Sequence, residues 1–128
     1  MGDTLAHTSL SPDERRLLEH FAVRLQAELG ERLHGVWLYG SRARGEPPAH
    51  EDSDVDLIVL VDQTSVATRN LVYDVLGAEA KRLGLDSLPI WFSMHVNTLE
   101  WLRGRREIKS FYIQEVDRDK IVVVGGPL

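Results

Sequence analysis

The chain has 128 residues, 43% of them hydrophobic and 27% charged, with a formal net charge of −5 and no cysteine. That length fits one domain with a real core, and the lack of cysteine excludes disulfides and thiolate metal sites. The acidic balance argues against indiscriminate polyanion binding, which needs dense Lys and Arg, although a single loop can still hold phosphate.

Residues 1–10 read as a loose tail, and residues 11–128 as one domain. Ser11-Pro12-Asp13-Glu14 then opens a helix: Ser11 can cap, Pro12 suits the first helical position, and Glu14 completes a capping box. Leu17, Leu18, Phe21, Ala22, Leu25 and Leu29 form one apolar stripe at helical spacing. Gly30 or Gly35 is expected to end this helix near Leu33. Residues 36–39 follow as a short apolar strand that runs into Gly40.

Residues 41–53 read as a loop, with Pro47-Pro48 excluding regular structure at its middle. Residues 55–61 are β-branched or Leu apart from Asp56, the pattern of a buried central strand. Thr64 or Ser65 can cap a second long helix, which Gly84 ends. A third strand is expected over residues 88–96, opened by Pro89 and therefore at an edge. Asn97 or Thr98 caps a short helix through Trp101, residues 108–116 form another helix, and residues 121–124 a closing strand. This order predicts an α/β (α+β) protein: a small mixed sheet with helices packed on it. The opening residues lack a signal peptide's basic flank and apolar run. No stretch approaches the roughly 20 apolar residues that span a bilayer, so a cytoplasmic protein is expected.

Two local patterns carry chemistry. Gly40-Ser41 directly after a strand lets the backbone turn sharply, with N–H groups able to cradle phosphate oxygens. Arg42 and Arg44 stand where they could neutralise phosphate charge. The blander alternative is a tight turn with two solvated arginines. In Ser53-Asp54-Val55-Asp56-Leu57, strand alternation puts Asp54 and Asp56 on the same face. Two such carboxylates repel one another unless a cation lies between them, and hard oxygen ligands suit Mg²⁺ or Mn²⁺. The alternative is one capping Asp and one solvated Asp.

Together, Gly40-Ser41-Arg42-Ala43-Arg44-Gly45 and Ser53-Asp54-Val55-Asp56-Leu57 resemble the signature of the minimal nucleotidyltransferases of the polymerase-beta-like superfamily. The resemblance implies the nucleotidyltransferase fold. It also implies binding of ATP or another nucleoside triphosphate at Gly40, Ser41, Arg42 and Arg44. Asp54 and Asp56 would be the catalytic, metal-holding residues. The implied reaction moves a nucleoside monophosphate to an acceptor hydroxyl with release of pyrophosphate. Short members resemble the antitoxin that accompanies a helical HEPN-domain protein, so such a partner is implied and the acceptor can lie on it. A homo-oligomer is equally allowed. RNA ranks last among acceptors, because so short a chain has little surface for reading it.

One departure stands out. Active members carry a third carboxylate on the strand after the long helix, and residues 88–96 contain no acid. Asp86 and Glu100 flank that strand, and alternation puts Pro89, Trp91, Ser93 and His95 on one face of it. The five histidines show no paired metal-ligand spacing, though His95 could line the site if it shares a face with Ser93. The competing class is therefore a catalytically degenerate nucleotide-binding or partner-binding module.

Overall fold

The computed structural model describes residues 5–46, 54–126 and 128. The first helix, α1 (Pro12–Leu29), begins as its sequence dictates. Ser11 Oγ accepts from Glu14 N at 3.1 Å, and Glu14 Oε1 accepts from Ser11 N at 2.8 Å. The helix stops at Leu29 rather than near Leu33, because Gly30 takes φ +55°, a conformation open to glycine. The chain is therefore free to enter β1 (Leu33–Tyr39) three residues earlier than expected.

After β1 comes a helical turn, α2 (Gly40–Ala43), where an irregular loop was expected. Pro47-Pro48 and Ser53 lie outside the described residues. Strand β2 (Val55–Val61) and helix α3 (Val66–Leu83) have the expected bounds, with Ser65 as cap and Gly84 left-handed at the end. The third strand is shifted. Pro89–Trp91 form a 3₁₀ turn closed by Trp91 N donating to Leu88 O at 2.9 Å. Proline's fixed φ and missing N–H favour that turn over a ladder, so β3 is Phe92–Thr98. Thr98 caps α4 (Leu99–Glu107), which is longer than expected. Ser110 caps α5 (Phe111–Asp119), moving that helix three residues along the chain. The last strand, β4, is Ile121–Gly125.

The strands form one mixed sheet in the order β3-β2-β1-β4. Strand β1 is antiparallel to both neighbours, and β2 runs parallel to β3. One face carries Val36, Leu38, Val55, Leu57, Val59, Met94 and Val96, buried with the apolar stripes of α1 and α3. The other carries Trp37, Ile58 and Leu60 against Leu102 of α4 and Ile113 and Val116 of α5. No helix among the described residues is long and apolar enough to cross a membrane.

The loose tail expected for residues 1–10 is not what residues 5–10 form; residues 1–4 lie outside the described part. Leu5 and Leu10 are buried in the core, and Ser9 N donates to Arg42 O at 3.0 Å. Arg42 returns the contact. Its guanidinium reaches Ser9 Oγ at 3.0 Å, the Ser9 carbonyl at 2.9 Å and the Glu14 carboxylate. Glu14 thus serves Ser11 and Arg42 at once, joining the start of α1 to α2.

Two outcomes follow. Glu14→Ala removes a cap and a buried charged hydrogen bond together, so urea unfolding should show a loss of about 3 kcal/mol. At the other end of α2, Arg44 pairs with Asp119 of α5 at 3.0 Å. Arg118, and after it Arg44, hold the Asp119 carboxyl down at about 2. A depressed carboxyl contributes stability above its unfolded pKa, and that contribution is lost as pH falls through the folded value. Acid titration followed by near-ultraviolet circular dichroism should show α5 loosening between about pH 4 and pH 2.

Candidate active site

The mouth of the site is built where β1 ends. Tyr39 pairs with Asp56 in the β1–β2 ladder, so the chain leaving β1 turns beside the carboxylate. That turn is made by Gly40 at φ +80°. A Cβ at Gly40 would stand 2.8 Å from Asp56 Oδ2, so the glycine is required twice, by conformation and by space. Ser41 follows on α2, whose start has no side-chain cap. The first N–H groups of such a turn have no intrahelical acceptor.

Asp54 is exposed just before β2, and Asp56 is partly buried one position inside it. Burial first, and the charge of Asp54 second, push the Asp56 carboxyl above its ordinary value, while His95 opposes them. Repulsion between two same-face carboxylates is what a bound divalent cation relieves. The space left by the missing Cβ of Gly40 lies against one of those oxygens. The donor set therefore fits one hard cation accompanied by phosphate oxygens, held by Asp54 and Asp56. Among the described residues, no group of three or more Asp, Glu or His side chains is placed to hold a metal.

The two arginines part ways. Arg42 is buried with its guanidinium turned toward Ser9 and Glu14. Arg44 is partly exposed and held by Glu46 at 2.8 Å and Asp119 at 3.0 Å. Gly40 lies against Asp56, which feels the charge of Asp54, whereas Arg42 braces the turn from behind.

On the other side of Asp56 lies β3. Ser93 is its parallel neighbour, and His95 is two residues farther along the same face. The imidazole Nε2 is 3.5 Å from Ser93 Oγ. Asp86 is exposed in the turn before β3. Glu100 lies beyond Thr98, which pairs with Val61, so five strand positions separate that end of β3 from Asp56. That is about 16 Å of strand. Neither acid joins the pair.

An aromatic wall closes the site toward α5, and sequence reasoning did not single it out. Tyr112 Oη donates to Tyr39 Oη at 2.9 Å, with the two rings edge to face at 5.8 Å. Trp101 meets Tyr112 at 6.3 Å, with the Arg105 guanidinium 6.0 Å over the indole. Burial raises both phenol pKa values, with the partner hydroxyl adding to the effect on Tyr39. Both rings remain neutral donors at physiological pH. Tyr39 was legible only as a strand end, and Tyr112 lay in a helix whose register the sequence left three residues off.

Because the Asp56 carboxyl is raised, its folded-state contribution is complete below the unfolded pKa and lost as pH rises through the folded value. Metal-free Asp56→Asn should therefore melt at a higher temperature than wild type near neutral pH. The gap should close in acid, and Mg²⁺ should raise the melting point of wild type alone.

No curated protein matches the chain. Among solved structures it is similar to a mutant of the MntA-HpeT toxin–antitoxin, with 19% identity over 84% of this chain and 73% of that one and a TM-score of 0.49. A toxin–antitoxin with AMP-PNP shows 22% identity over the same shares, with a TM-score of 0.49. The tri-AMPylated Shewanella oneidensis HEPN toxin in complex with MNT antitoxin shows 19% identity over 88% and 73%, with a TM-score of 0.46. The nucleotidyltransferase domain model matches residues 22–124, from the middle of α1 to the last strand, and the chain belongs to that family.

Proposed function

We propose that this chain binds a nucleoside triphosphate, ATP foremost, together with Mg²⁺ or Mn²⁺, and transfers the nucleoside monophosphate to an acceptor hydroxyl. The observation that carries this reading is the close approach of Gly40 to Asp56, a carboxylate that also feels the charge of Asp54. Ser41 donates its hydroxyl to a phosphate oxygen, and the α2 N–H groups take others. Arg44 exchanges a carboxylate partner for phosphate charge. A divalent cation held by Asp54 and Asp56 supplies neutralisation of the triphosphate and polarisation of the reacting phosphorus. Such a reaction asks mainly for positioning and charge neutralisation.

The lack of a third acid among the described residues favours a second reading, a nucleotide-binding module that acts by pairing with a partner. The helical HEPN-type partner implied by the sequence signature suits either reading, as acceptor in the first and as binding target in the second.

Calorimetric titration with Mg-ATP tests the site. Asp54→Asn should weaken binding at little cost in stability. Ser41→Ala should cost about 0.5–1.5 kcal/mol of affinity, the worth of one hydrogen bond. Gly40→Val should abolish binding, since its side chain would displace Asp56. Unchanged affinity in Gly40→Val would reduce α2 to a plain turn. Transfer of labelled nucleotide should be slow, because losing one preorganised electrostatic contact costs about 10²–10³ in rate. Ser93→Asp, which restores an acid beside Asp56, should raise it. A fast wild-type enzyme disabled by Asp86→Asn or Glu100→Gln would show that the third acid has moved.

A further inference from the structure

Across the sheet, the site is ordered by strand. The turn at Gly40 hangs from β1, Asp56 stands on β2 with Asp54 just before it, and Ser93 and His95 stand on β3. Adjacent strands are about 4.8 Å apart. An acceptor that approaches from the side away from the β1 turn comes over β3, across the small Ser93 side chain. Strand β3 is an edge of the sheet. A pocket of about 270 Å³ opens along it, lined by Arg69, Tyr73, Met94, His95, Val96 and Asn97. Its edge is steadied by the Tyr73 hydroxyl, which donates to Met94 O at 3.1 Å.

His95 and Asn97 both line this pocket and lie on the face that carries Asp56, and of the two only His95 can take up a proton. It is exposed, and its nearest hydrogen-bonding neighbour among the described residues is Ser93 Oγ at 3.5 Å, the outer limit of such a contact. The Tyr39 ring packs 6.3 Å away. With Asp54 and Asp56, His95 does not form a three-ligand metal group. The imidazole is thus left available for proton transfer.

We propose that His95 is the catalytic base that activates the acceptor hydroxyl, in the place where a third acid would act. This rests on the nucleotidyltransferase reading above. The acceptor O–H proton passes to a ring nitrogen of His95. The acceptor oxygen bonds to the α-phosphorus as the bond from that phosphorus to the bridging oxygen breaks. Pyrophosphate leaves with the bridging oxygen and its electron pair, and His95 later returns the proton to solvent. Ser93, beside Asp56, keeps the path low enough for the acceptor to reach across.

The experiment uses α-labelled ATP and Mg²⁺, with water and glycerol as acceptor hydroxyls. It measures AMP and glycerol-AMP formation beside calorimetric Mg-ATP affinity. In His95→Ala, turnover should fall by about 10²-fold or more, the usual worth of a positioned base. Affinity and melting temperature should be unchanged, since the side chain is exposed. Added imidazole should restore turnover in His95→Ala and leave wild type unaffected, a response that a merely structural role would not give. No Mg-ATP binding by wild type would sink the nucleotide site itself. Binding without turnover, turnover indifferent to His95→Ala, or a loss that imidazole does not repair would overturn the role of His95 while leaving that site standing.

Discussion

Asp56 is a carboxylate held partly out of water, with a second acid two residues before it and no Lys or Arg paired to it among the described residues. In an apolar sheet such a group is costly, and burial and the charge of Asp54 outweigh the relief that His95 gives. Gly40 gives up a side chain so that the turn can lie against Oδ2. Tyr39 and Tyr112 offer neutral hydroxyls that are tied to each other. The fold thus concentrates an unfavourable carboxylate environment at one point. Perturbed groups of this kind cluster at functional sites because that is what chemistry requires of them.

The two arginines of the phosphate turn show how one short motif divides its labour. Arg42 lies behind the turn, bonded to Ser9 and Glu14. Removing a partner from a buried charge is far costlier than losing one on the surface, so the turn is stiffened where it cannot touch a ligand. Arg44 lies in front, held by the carboxylates of Glu46 and Asp119. The turn is thus fixed from behind by Arg42 and flanked in front by Arg44 with its two carboxylates. Gly45 completes the arrangement, since a Cβ there would meet the His7 carbonyl oxygen at 2.6 Å.

Much of this was legible in the sequence because it depends on local rules. The capping box at Ser11 and the bounds of β2 and α3 follow from spacing alone. The neighbourhood of the two motifs also follows, since a carboxylate pair and a phosphate turn have a common use only side by side. What escaped was set by tertiary contact. The inward turn of Arg42 depends on Glu14, 28 residues away. Residues 5–10 look featureless until a groove exists for Leu5 and Leu10. The shift of β3 came from reading Pro89 as a weak strand start when its geometry favours a 3₁₀ turn. That shift left the faces of Ser93 and His95 intact, because a strand's alternation survives a change in where it begins.

The pairing of β1 also bears on how the chain is made. One side of β1 is filled by β2, a near neighbour in sequence, but the other is filled by β4, with Gly35 opposite Gly125. During synthesis the first ladder can form long before the second. Until residues 121–125 emerge, one edge of β1 stays open with Val36, Trp37 and Leu38 beside it. An open apolar edge is a template for pairing with another chain, and contacts so distant in sequence are the slow ones to close. Nascent chains of this protein should be most prone to aggregation in that interval, and crowded or chaperone-poor expression would be felt there before it touched the finished site.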